Sequence, residues 1–138
     1  MITMTPAAPV PAGDAFTAVQ RQEIAKAIAD AERVSGRVFS VHVGPSEGRP
    51  RAYAEQLHGE LDDPARSVLI HVDPAGRALE IVTGSHVRRS LTNGQAALAA
   101  INMQTAFATG DLTRGLMAGL QQLAPLAKPV ASLHTDTP

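Results

Sequence analysis

The stretch Val68-Leu69-Ile70-His71-Val72-Asp73 sets a histidine and a carboxylate two residues apart, just before Pro74-Ala75-Gly76. Alternate side chains on a β-strand share a face, so His71 and Asp73 could look at one ligand. Imidazole and carboxylate are metal-ligand types, and His42 near the end of an earlier strand is the third candidate. A site of that kind would suit calcium, magnesium or manganese. His71 and Asp73 are also the two candidates for catalysis. The plainer reading gives Asp73 to the turn, where a carboxylate bonds its own backbone. Paired there with Arg77, it leaves His71 as a half-buried strand residue with one hydrogen bond.

Anion chemistry is the second option. Ligands of open α/β sheets favour the crevice beyond the carboxyl ends of parallel strands. That edge would carry Ser46, Glu47, Gly48, Arg49 and Arg51, with Asp73 and Arg77 beside them. Arg49, Arg51 and Arg77 are the candidate anion contacts, through bidentate guanidinium hydrogen bonds. Yet no phosphate-binding glycine motif is present, and a solvated loop explains the same residues. His86, Arg88 and Arg89 form a basic cluster that reads more simply as a solvated face. Ser40, Ser46, Ser67, Ser85 and Ser90 show no His/Asp constellation in sequence, and no Gly-x-Ser-x-Gly elbow occurs.

These residues need a frame. The chain has 138 residues and no cysteine, which suits one domain and excludes disulfides, thiolate zinc sites and a catalytic thiol. The net charge of −1 favours neither nucleic acid nor an anionic membrane. Three Phe and one Tyr are too few for a base-stacking surface. No apolar run reaches the ~20 residues of a membrane helix, and the start lacks a signal-peptide pattern, so a cytoplasmic location is expected.

Residues 1–15 read as a Pro/Ala-rich lead, 16–126 as one domain and 127–138 as a tail. Thr17 with Gln20 fits a capping box, and Ile24, Ala27, Ile28, Ala31 and Val34 recur at helical spacing up to Gly36. Residues 38–43 predict a strand, and Pro50 opens a helix with Tyr53, Leu57 and Leu61 on one stripe. Residues 68–84 predict a hairpin. Its type I turn sets Gly76 at positive φ, Asp73 opposite Arg77, His71 opposite Leu79 and Ile70 opposite Glu80. A short helical turn follows at 85–91. Thr92 with Gln95 then opens a helix that Gly110 stops, and Asp111 caps a last helix that Pro125 ends. Gly115 and Gly119 leave room on it for close helix packing, or for self-association. The order is α-β-α-β-β-α-α: an α/β fold, a small three-layer α/β/α sandwich on a mixed sheet of three strands, or four.

The segments AIADAERVSGRVFSVHVG, AEQLHGEL, SVLIHVDPAGRALEIVTG and AFATGDLTRGLMAGLQQL, in this order, resemble the TPM domain. They are most similar to a set of actinobacterial proteins of unknown function related to it. The resemblance implies an α/β/α sandwich. It also implies either acid phosphatase activity or an accessory role in membrane complexes. Two departures weaken the first. Gly84-Ser85-His86-Val87 replaces a stretch in which TPM domains carry an acid, and Thr92-Asn93 stands where an Asp often opens the next helix. The expectation is therefore a non-catalytic module that binds a protein partner or itself. A metal-dependent phosphatase and a small-anion domain are the alternatives.

Overall fold

The computed structural model describes residues 2–4 and 16–130. The elements run β1 (Ile2–Met4), α1 (Ala18–Ser35), β2 (Val38–Val43), α2 (Pro50–Gly59), β3 (Ser67–Asp73), β4 (Ala78–Thr83), α3 (Asn93–Ala108) and α4 (Leu112–Ala127). Single 3-10 turns lie at Pro64–Arg66 and Val87–Arg89. The described sheet has the order β1-β2-β3-β4, with β2 and β3 parallel and both outer pairs antiparallel. The α-β-α-β-β-α-α order is the one the sequence predicts. The added strand is β1, in a segment read as a lead; residues 1, 5–15 and 131–138 lie outside the described residues.

Each face of the sheet buries apolar side chains, because helices cover both. Phe39, Val41, Val43, Val68, Ile70, Val72, Leu79 and Ile81 pack with Ile24 and Ile28 of α1 and Leu116, Leu120 and Leu123 of α4. The smaller core on the opposite face joins Leu69 and Val82 to Ala54, Leu57 and Leu61 of α2. Strand β3 lies in the middle and is buried along its whole length. A strand covered on both sides reads as a continuous apolar run, which makes His71 and Asp73 exceptions that need partners.

Both predicted capping boxes form, at Thr17/Gln20 and Thr92/Gln95, and Asp111 accepts from the Arg114 amide at 3.0 Å. Gly36 closes α1 at φ 71 in the left-handed region. Gly115 and Gly119 serve the core, since a Cβ there would collide with Phe107 and Met103 of α3. Helix α4 does not end at Pro125. It continues to Ala127, because proline removes only its own N–H, and its would-be acceptor Gln121 lies on the exposed side. The Ala127 carbonyl is taken by Arg37 Nε at 3.0 Å and Ser90 Oγ at 3.2 Å.

The hairpin register differs by one residue from the expectation. Asp73 pairs with Ala78, His71 with Glu80 and Ile70 with Ile81. The loop is four residues long, Pro74 to Arg77, and Arg77 rather than Gly76 takes the positive φ, at 53°. A one-residue slip moves a whole strand to the other face. Glu80 therefore joins the His71 face, and Arg77 leaves the ladder without meeting Asp73.

Candidate functional site

The parallel register sets His42 directly beside His71, so the two imidazoles share the α2 face of the sheet. Their Nδ1 atoms are 3.1 Å apart, within hydrogen-bond distance. One nitrogen must carry the proton and the other must accept it. The far nitrogen of His71, Nε2, lies 2.8 Å from Ser46 Oγ. Tyr53 of α2 closes the group from above, its ring edge-on to His71 at 5.3 Å and to His42 at 5.9 Å between centroids.

Asp73 holds the two loops at this end of the sheet. Its Oδ1 accepts from the Gly76 amide at 2.9 Å and its Oδ2 from the Ser46 amide at 3.0 Å. The first bond fixes the hairpin turn. The second anchors the β2–α2 loop that carries Ser46. Bonds to backbone amides, from Gly76 first and then Ser46, hold the Asp73 carboxyl below the usual carboxylate range.

The histidines are shifted the other way in charge preference. Burial, with His71 alongside, lowers His42 to about 4. Burial also lowers His71, opposed by a hydrogen bond to the His42 backbone and by the charges of Asp73 and Glu80, which favour its cation. Both rings are therefore neutral at pH 7.

Three of the predicted residues thus converge: His42, His71 and Asp73. They do so as a hydrogen-bonded chain running through Ser46, and among the described residues no group of three or more His, Cys, Asp or Glu is arranged to hold a metal. The three arginines do not converge. Arg51 is tied to Glu55 at 3.2 Å, Glu80 at 3.4 Å and the Ile81 carbonyl at 2.8 Å. Arg77 lines a separate cavity with Gln104, Phe107 and Leu112. Arg49 is exposed at the start of α2 and gives it no side-chain cap. In the basic cluster Arg88 bonds the Thr83 carbonyl and Arg89 is exposed. The roles of Ser46, Tyr53 and Glu80 were hidden in the sequence. The two last are visible only once register and helix packing are known. A further buried histidine, His58, bonds the Ser67 carbonyl at 3.0 Å and fastens α2 to β3.

A second feature lies across the sheet on α3. Its buried residues include the small Ala96 and Ala99, while Leu98 and Ile101 are 55% and 58% exposed. No charged residue occurs in the helix. Ala97, Ala100 and Ile101 line a groove of about 460 Å³ with Leu79, Glu80 and Ile81 of β4 and Arg51 of α2.

The family described as Domain of unknown function (DUF5130) matches residues 4–124. The chain belongs to this family. The DUF5130 chain is also similar to two Mycobacterium tuberculosis proteins, uncharacterized protein MT2543 of strain CDC 1551 and uncharacterized protein Rv2468c of strain H37Rv. Each is 30% identical over 86 residues, which are 62% of this chain and 52% of the relative. The chain thus spans about half the length of these relatives. Its fold matches the BA42 protein of the psychrophilic bacterium Bizionia argentinensis, with TM-score 0.75 and 20% identity over 88% of this chain and 89% of that one. It also matches the N-terminal domain of cg2496 from Corynebacterium glutamicum, with TM-score 0.67 and 15% identity over 86% and 78%. At these identities the likeness establishes the DUF5130 fold as an α/β/α sandwich and nothing of its chemistry. No helix among the described residues is long and apolar enough to cross a membrane.

Proposed function

We propose that the domain is an interaction module that pairs with a second copy of itself through the outer face of α3. The observation that supports this is a pair of large apolar side chains on the outside of that helix. Leu98 and Ile101, neighbours three positions apart, are more than half exposed, while Ala96, Ala99 and Met103 turn to the core. The lack of charge lets two copies meet without like-charge repulsion. Addition of a strand to β4 is disfavoured, because Arg51 and Arg88 already occupy the Ile81 and Thr83 carbonyls. Sedimentation velocity across a range of concentrations tests the reading. The wild type should pass from monomer to dimer, and Leu98→Glu with Ile101→Glu should hold it monomeric. A wild type that stays monomeric at millimolar concentration rules the pairing out.

The TPM likeness is kept as part of this reading, on the strength of the shared layer order and the ordered motifs. Within it the assembly-type branch draws more support than metal-dependent phosphatase or anion binding. Asp73 spends both oxygens on backbone amides, and the three arginines point to different places.

A further inference from the structure

Ser46 lies on the β2–α2 loop, half-buried, at the carboxyl edge of the parallel strands. It bonds His71 on the α2 face of the sheet, whereas α3 packs with the core of the other face. From the Ser46–His71–His42 chain we propose that Ser46 is a nucleophile, with His71 as its base and His42 as the positioning residue, acting on small activated esters. The distances are those of a nucleophile–base–orienter set: 2.8 Å from Oγ to Nε2 and 3.1 Å between the Nδ1 atoms. His42 takes the place that a carboxylate fills in the more familiar triad. It accepts the His71 Nδ1 proton, which leaves Nε2 bare to accept from the serine hydroxyl.

The reaction balances as acyl transfer. The Ser46 Oγ–H proton moves to His71 Nε2 as Oγ bonds the ester carbonyl carbon. The carbon–leaving-group bond then breaks, and the leaving oxygen takes the proton from His71. Water repeats the two steps on the acyl-serine and frees the acid.

Electrostatics suit each state. Burial keeps His71 neutral at rest, so that a ring nitrogen is free to accept a proton. Asp73 beside it and Glu80 opposite it in the ladder favour the imidazolium that forms on proton transfer. Ser46 is held in place by its own amide on Asp73 Oδ2. The competing arrangement has His71 Nε2–H donating to Oγ while the hydroxyl turns to Asp73, and a serine so engaged does not attack.

A fluorophosphonate ester decides between them, because Ser46 Oγ would displace fluoride while His71 takes the proton. The expected result on the folded full chain is one covalent adduct, mapped by mass spectrometry to Ser46 and lost in Ser46→Ala. His71→Gln should slow labelling roughly 10²-fold or more. Should that variant misfold, the wild-type rate against pH serves instead. It should rise with deprotonation of a single group of midpoint below 6.5, and His42→Gln should move that midpoint. No Ser46 adduct on folded wild type, or a rate that follows no such midpoint and is unchanged in folded His71→Gln, overturns the proposal.

Discussion

Asp73 is the residue whose meaning depended most on its surroundings. A carboxylate before Pro-Ala-Gly predicts a turn-holding side chain, and it is one. The sequence does not show that its second oxygen reaches back to the Ser46 amide, 27 residues away. Asp73→Asn keeps the shape but sets an NH₂ against one of the two amides. A loss of about 1–3 kcal/mol is expected in urea unfolding. The histidines make the pH response. The folded state lowers His42 to about 4, against an ordinary value of 6.5, so it binds fewer protons than the unfolded chain. That contribution is whole above pH 6.5 and is lost as pH falls towards 4. His71, lowered by the same cause, acts in the same direction. Thermal unfolding from pH 7.5 to 4.5 should show a steadily falling melting temperature, and His42→Gln should flatten the slope. Asp73 adds its own loss only at lower pH, because its carboxyl is held below the usual range.

The helices and the hairpin show where local sequence suffices. Thr17 and Thr92 close their capping boxes with residues three positions on, so the whole interaction is written in four residues. Thr92→Ala should cost about 1 kcal/mol, read as a lowered melting temperature. The hairpin shows the opposite case. Its strands are plain in the alternation, but a turn of Pro, Ala, Gly and Arg can close in more than one register. Packing against α2 on one face and α1 and α4 on the other selects the observed one, with Arg77 taking the left-handed position. Gly84, the residue after β4, is a demand of the tertiary fold. A Cβ there would strike the backbone of Pro64 and Ala65, which cannot yield as a side chain would. Gly84→Ala should therefore cost on the order of 2–3 kcal/mol, a larger loss than the cap substitution in the same unfolding experiment.

Across the whole molecule, one sheet separates two features of different character. The α2 face carries the buried polar chain, and the outside of α3, a helix without charge, exposes Leu98 and Ile101. Association through Leu98 and Ile101 should barely respond to salt, since neither side chain is charged. A dimer fraction that fell steeply between 50 mM and 500 mM sodium chloride would place the contact elsewhere. Layer order, helix caps, the parallel crossover and the turn role of Asp73 follow from the sequence alone. Each rests on periodicity or on contacts a few residues apart, where the chain has little choice. The partners of His42, His71 and Ser46 come from three separate stretches, and whether Arg51 faced an anion or the β4 edge depended on how α2 lies on the sheet. Those facts were decided by strand register and helix packing, which arise from the burial of many side chains at once and leave no mark in any single segment.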